Sequence, residues 1–491
     1  MLLDVPSRSS SPSLNSSQSQ ILPDLSAGQP SLATSASPAP SFRQPLMELP
    51  AARLSSLEFV RVLRHNGLQL WPREAYEADF IKQHLFGRKR FLLNKPDMIH
   101  RVLVENHHNY GRTDASIRLL RPLAGNGLLL SSGDDWKHQR RTIAPTLAPK
   151  MLPVLTHHVA ACVDEEVDAL SRHGGAPLDL FAAMQALALK IAARSMFSLE
   201  MREYGQAVRG AMQNFKLHHT RLGIGDLVLP VGIPTPRDIG RAGFRKRWLA
   251  LLDDIIEVRA RQPDEGGPRD LFDALRAARD PETGAGFSRA ELRDQIGTMI
   301  VAGHETTALL LFWALYVLAS APAEQAAVAA EVRNVDLSPA HAGHISDSLP
   351  YTRAVVHETL RLYPPVWLMA RKCLAADHVD GLNLPRGTQL LISPWVLHHH
   401  RGLWDQPDLF DPARFLPGAP APARFTWLPF GSGPRVCVGA QFALAEATIV
   451  LARLVQAFEI ECTEREPVHP RALATTTPER AALFSFKPRR A

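Results

Sequence analysis

The decapeptide Phe430-Gly431-Ser432-Gly433-Pro434-Arg435-Val436-Cys437-Val438-Gly439 runs directly into the apolar stretch Ala440–Phe458, whose pattern predicts a helix. A free cysteine is most often a small buried hydrophobe, but this one sits in a different setting. Glycines at 431, 433 and 439 permit tight backbone turns and let a flat partner come close. A helix that begins just after Cys437 points its amide groups and positive dipole end back at the sulfur, and Arg435 adds a nearby cation. All three favour thiolate over thiol. A stabilised, partly enclosed thiolate is either a nucleophile or a metal ligand, and no histidine lies close in sequence to serve a nucleophile as its base.

The rest of the chain narrows the choice. Its 491 residues correspond by length alone to about three domains, unless one large helical core absorbs most of them. With 45% apolar and 21% charged residues, a wholly disordered, collagen-like or disulfide-built chain is excluded. Four cysteines (Cys162, Cys373, Cys437, Cys462) are too few and too scattered for a disulfide framework or a paired-thiolate zinc site. They fit a reducing compartment, and the expected location is cytoplasmic. Lys+Arg 55 against Asp+Glu 49 gives a net charge of +6, enough to let an acidic partner dock but not the basic stripe of a nucleic-acid binder.

Residues 1–45 are read as a Ser/Pro-rich disordered leader and 46–491 as one domain. The leader lacks the charged start and apolar stretch of a secretory signal. It is rich in Ser like an organelle transit peptide, but Arg8 is its only basic residue before Arg43. The domain reads as mainly α with small β-sheets. Strands are expected near Phe91–Leu93 and around Lys372–Leu391, where alternation meets Asp-Gly and Pro-Arg-Gly turn signals. The longest helix starts at the capping pattern Ser288-x-x-Glu291 and stops before Pro322. Its apolar half, Thr306–Ala321, is shorter than the roughly 20 residues a bilayer needs, so a buried core helix is expected rather than a membrane span. That helix is the spine of the fold.

Residues 430–439 match F-x-x-G-x-R-x-C-x-G, and on them the chain resembles the cytochrome P-450 monooxygenases, soluble bacterial type. The resemblance extends over about residues 46–487. It implies a helical domain whose long central helix crosses over haem b (iron protoporphyrin IX), with the Cys437 thiolate as proximal iron ligand and Phe430, Arg435 and Gly439 beside the cofactor. Four further motifs follow in the family's order. Ala302-Gly303-His304-Glu305-Thr306-Thr307 places an acid and hydroxyls inside an apolar helix, where they are costly unless they face a polar cavity or carry hydrogen bonds. The resemblance implies that Gly303 leaves room for dioxygen and that Glu305 and Thr306 organise water that delivers protons to it. Glu358-Thr359-Leu360-Arg361 puts its two charges on one helical face. In the family such a pair is buried, structural and joined by a second arginine, here Arg414. Trp136 and Arg140, at i and i+4, are by resemblance directed at a haem propionate, together with Arg371 and Arg435. His398 falls where the family often has histidine. The run His398-His399-His400 is not expected to bind a metal, because consecutive residues do not converge on one ion.

The implied reaction inserts one oxygen atom from O2 into a hydrophobic organic substrate. Its electrons are expected from a separate ferredoxin or flavodoxin and its reductase, because no such module follows Cys437. The protein is expected to be a monomer. The substrate pocket is sought in Arg112–Leu128, Phe215–Leu229, Ile300 and Val301, Val366–Met369 and Leu483–Phe484, segments that are mostly apolar and suit a lipid, terpenoid or polyketide-like compound. Leu229–Pro236 resembles members that oxidise long-chain compounds. Three alternatives remain at this stage. A peroxygenase or non-oxygenating relative would usually lack the Glu305-Thr306 pair. A haem sensor would need no proton relay, and a cofactor-free scaffold leaves Cys437 unexplained.

Overall fold

The computed structural model describes residues 41–45, 47–198, 204–262 and 268–489. Helix Arg289–Ser320 runs through its centre. Ser288 caps it as the sequence indicates: its hydroxyl accepts the Glu291 amide, and the Glu291 carboxylate accepts the Ser288 amide. Pro322 opens a separate helix after the break at Ala321. Every residue from Thr307 to Leu318 is buried. The helix is therefore apolar all round rather than along one stripe, which requires neighbours on every side.

Those neighbours are helices Leu180–Phe197, Ala440–Ala457 and Pro350–Leu362. Trp313 of the central helix stacks on Tyr363 with ring centroids 4.2 Å apart, and its indole N–H donates to the Thr476 carbonyl at 2.9 Å. By length and composition the central helix, Leu180–Phe197 and Ala440–Ala457 are each long and apolar enough to cross a membrane, where the sequence reading expected none. In the folded chain most of each is covered by protein, because the three form one core.

Strands form where alternation indicated them and also beyond. Phe80–Leu85 and Arg88–Leu93 make a hairpin whose two turn residues, Phe86 and Gly87, both have positive φ. Gln389–Ile392, Met369–Cys373 and the edge strand Tyr110–Arg112 extend it to five strands. A second sheet joins Leu178–Asp179, Leu483–Pro488 and Phe458–Cys462, and a small hairpin pairs Pro470–Ala472 with Thr476–Pro478.

The reading of residues 1–45 as a leader divides in two. Residues 1–40 lie outside the described residues, as does Leu46. Ser41 to Gln44 instead belong to the folded body. Phe42 is buried edge-on against Tyr316 and Phe410, the Ser41 amide and hydroxyl both donate to the Glu324 carboxylate, and Gln44 meets His399. Segment composition averages over such a single aromatic anchor and misses it.

One buried carboxyl gives the fold a pH signature. Burial in helix Ala440–Ala457 pushes Glu446 up to about 8 from an ordinary 4.5. The folded state then keeps a proton that the unfolded chain releases, so this contribution is complete below the ordinary value and is lost as pH rises toward 8. Urea unfolding across that window should show wild-type stability falling by up to about 1.4 kcal/mol per pH unit relative to Glu446→Gln. A pH-independent difference between the two proteins would remove Glu446 as the cause.

Candidate functional site

The cysteine loop is built by its backbone. Gly431 and Gly433 adopt φ of +73° and +71°, in the left-handed region that favours glycine. A Cβ at Gly433 would also collide with the Leu103 carbonyl oxygen. The Cys437 amide donates to the Phe430 carbonyl at 3.0 Å and closes the loop, and Gly439 is the N-cap of helix Ala440–Ala457. Among the four cysteines Cys437 alone is exposed. Burial nevertheless pushes its thiol up, because the sulfur opens onto an internal space with protein around it on the longer scale that governs solvation. The Gly439 amide and Arg140 pull in the other direction without winning. The helix amide end and a cation, Arg140, favour the thiolate as the sequence indicates, and burial opposes them.

Val438 packs in the same hydrophobic cluster as Ile300 and Val301 of the central helix, so the loop and the acid–hydroxyl motif border one region. Ala302 and Gly303 are exposed midway along the central helix, and a Cβ at Gly303 would meet no described atom within 4 Å. The Thr306 hydroxyl donates to the Ala302 carbonyl. Glu305 accepts Lys216 Nζ at 3.2 Å and Thr475 Oγ1 at 3.0 Å. His304 turns away, with Nε2 3.1 Å from the Gln185 carbonyl.

A group of guanidiniums adjoins the loop. Arg112 and Arg371 sit directly opposite each other on antiparallel strands. Like charges so placed destabilise a sheet. Burial pushes Arg112 down to about 9, and Arg371 and Arg435 push it further in the same direction. Arg112 Nε is buried without a partner, and among the described residues no carboxylate pairs with any of the three. The Arg435 guanidinium lies 4.5 Å from the centroid of the Trp136 ring, while Arg140 donates to the Val436 carbonyl at 2.7 Å. Sequence reasoning placed Arg112 and Lys216 only within candidate pocket segments, without these roles, and missed Thr475. Only strand register could have found Arg112, and no local pattern marked the other two.

Glu358 and Arg361 form a forked pair at 2.7 and 2.8 Å with both side chains fully buried. Arg361 also donates to the carbonyls of His398, Pro407 and Leu409, and the Asp411 amide donates to Glu358. Arg414 joins as expected, its Nε 3.5 Å from Glu358 Oε1. The three histidines each serve the backbone: His398 bridges the Arg361 carbonyl and the Leu428 amide, His399 meets the Trp395 carbonyl, and His400 meets that of Ala78.

Of the segments searched for a pocket, Leu483–Phe484 is excluded. Strand alternation turns Phe484 into the core against Phe312 and Tyr316 and leaves Leu483 in solvent. Ile300 is buried, whereas Val366 is exposed. Urea unfolding should show Glu358→Ala losing about 3–5 kcal/mol, because it strands a buried guanidinium. Arg414→Ala should lose less, and equal losses would contradict the central role given to Arg361.

A profile of the cytochrome P450 family matches residues 72–484. Cyclooctatin synthase of Streptomyces melanosporofaciens is 32% identical over 422 residues, covering 85% of this chain and 90% of that protein. Cyclooctat-9-en-7-ol 5-monooxygenase of the same organism is also 32% identical, with 82% and 88% covered. Pentalenene oxygenase of Streptomyces avermitilis is 30% identical, with 81% and 88% covered. The fold is similar to the crystal structure of the cytochrome P450DA heme domain, at TM-score 0.71 and 24% identity over 84% of this chain and 90% of that one. A further cytochrome P450 crystal structure aligns at TM-score 0.76 over 92% of this chain and 100% of its own, again at 24% identity. With the motifs, the fold and these relatives in agreement, the chain belongs to the cytochrome P450 family of haem b-binding monooxygenases.

Proposed function

We propose that this monooxygenase inserts one oxygen atom of O2 into an apolar organic substrate, with Cys437 as the haem iron ligand and a separate acidic protein as electron donor. The observation that carries the assignment of the site is the set of guanidiniums, buried Arg371 and half-buried Arg112 and Arg435, lacking carboxylate partners beside the one exposed cysteine. These residues fit haem: Arg112, Arg371 and Arg435 would hold its two carboxylates, and Cys437 would hold its iron as the thiolate. The bound haem iron supplies the redox chemistry that activates dioxygen.

The chain's own groups do the rest. Trp136 supports Arg435 from below by a cation–π contact. Arg140 fixes the Val436 carbonyl and so the position of Cys437. Phe430 accepts the Cys437 amide, and Gly439 keeps the turn into the helix free of side chain. Gly303 leaves the helix surface open where dioxygen enters. Thr306 Oγ1, released from the Ala302 carbonyl, donates a hydrogen bond toward it. Glu305 shuttles protons once it leaves Lys216 or Thr475. Ala302, Val301 and Met369 present apolar surface to substrate. Two relatives are named for acting on cyclooctat-9-en-7-ol and pentalenene, by name an alkenol and an alkene, which supports a compound of low polarity. The net charge of +6 supports an acidic donor, and bacterial relatives support a cytoplasmic location.

Reduced protein under carbon monoxide should show the long-wavelength band after which the family is named, and Cys437→Ala should abolish it. A short-wavelength band in folded wild-type protein would refute thiolate ligation. Thr306→Ala should keep the band, lower product formation by about 100-fold and divert electrons to hydrogen peroxide. An unchanged ratio of peroxide to product would remove Thr306 from the relay.

A further inference from the structure

Two side chains hold the acid of the relay motif, and both bind the same atom: Lys216 Nζ lies 3.2 Å and Thr475 Oγ1 3.0 Å from Glu305 Oε1. Among the described residues nothing hydrogen-bonds Oε2. The two partners stand on supports of different kinds. Thr476, the residue next to Thr475, is buried, and its amide and hydroxyl donate to the Pro365 and Pro364 carbonyls at 3.0 and 2.7 Å. Its carbonyl accepts the Trp313 indole at 2.9 Å, and Trp313 lies about two turns beyond Glu305 on the same helix. Hairpin and central helix are thus fastened to each other, with Thr475 beside the fastening. Lys216 stands two residues from the end of helix Tyr204–His218, and its ammonium lies 5.2 Å from the centre of the Phe181 ring. Its side chain is 35% exposed, so solvent screens its attraction to Glu305.

Chemistry separates the two partners further. An ammonium has three donors and no acceptor, so it favours the carboxylate and cannot accept the O–H of a carboxyl. A hydroxyl donates or accepts by rotating. Whichever oxygen takes the proton, Thr475 keeps a bond: it donates to Oε1 when Oε2 is protonated and accepts from Oε1 when that atom is. A relay acid passes through charged and neutral forms in each cycle, and of its two partners only Thr475 suits both. Nor is this hydroxyl spent on the hairpin. Of the three successive threonines, Thr477 donates to the Arg471 carbonyl across the hairpin at 3.1 Å and Thr476 fixes the hairpin to the core, while Thr475 reaches out to Glu305.

We propose that Thr475 is a positioning residue of the proton relay: its hydroxyl holds Glu305 while the acid gains and gives up a proton, and Lys216 is the partner the acid leaves. The inference rests on the monooxygenase reading and on the relay role of Glu305 within it.

Urea unfolding of the haem-loaded protein tests the contact without recourse to catalysis. T475V should lower the urea midpoint of the wild-type protein and leave that of E305A unchanged, because the lost bond exists only when both groups are present. Function is read with the haem-loaded protein on a rotating ring–disk electrode, which supplies electrons without a partner protein or substrate. Dioxygen takes two electrons and two protons to hydrogen peroxide, or four of each to two waters, so a relay starved of protons favours peroxide. T475V should raise the ratio of peroxide to water about ten-fold, and T475S should stay within about two-fold of wild type. K216M should move the ratio toward water. Equal urea shifts by T475V in the two backgrounds overturn the proposal. So does a ratio that E305A changes and T475V does not, a T475S ratio equal to that of T475V, or a rise in peroxide with K216M. A ratio unmoved by E305A overturns the relay reading of Glu305 and the proposal with it. The carbon monoxide band of each sample reports separately on the haem-thiolate reading.

Discussion

The fully buried Glu358–Arg361 pair ties distant stretches of chain to one helix. Its guanidinium is divided between one carboxylate and the carbonyls of residues 398, 407 and 409, so it satisfies three backbone acceptors from a helix end and the loop that follows it. Burial pushes the Glu358 carboxyl up while Arg361 and the Asp411 amide pull it down, so desolvation opposes the attraction. What the pair secures is geometry more than free energy. From Arg361 the connection passes through the His398 imidazole to the Leu428 amide, two residues before Phe430 and the start of the cysteine loop. The thiol is placed by a buried chain of hydrogen bonds rather than by packing alone.

Electrostatics in the interior then work by omission. Arg112 and Arg371 face each other across a strand pair, an arrangement a sheet tolerates only if an anion is provided from elsewhere. Glu305, by contrast, is held through its Oε1 by Lys216 and Thr475, contributed by segments 89 and 170 residues away. The acid of the relay is thereby connected to the outer layers of the molecule. Any movement of helix Tyr204–His218 or of the Pro470–Pro478 hairpin alters what Glu305 can do.

Much of this was legible in the sequence because it is local. The glycine-spaced loop, the i, i+3 charge pair, the Ser288 capping box and the terminating Pro322 are each encoded within a few residues, and each stands where it was read. What escaped depends on contacts across the chain. Arg112 gains meaning only from its register with Arg371, and Lys216 looked like one cation in an apolar segment. For Cys437 the dipole is visible locally, whereas the burial that opposes it, and the choice of Arg140 as its cation, are properties of the assembled interior. Phe484 was assigned to the pocket because an apolar residue near the end of the chain does not announce which sheet will claim it.

The tether formed by Ser41, Phe42 and Gln44 has a practical side. Its three contacts reach Glu324, the aromatic pair Tyr316 and Phe410, and His399, joining the far end of the central helix to the chain just beyond the Glu358–Arg361 pair. A shortened protein cut at the apparent composition boundary would lose a wedge from its hydrophobic interior. An affinity tag or fused electron donor is therefore best attached upstream of Ser41.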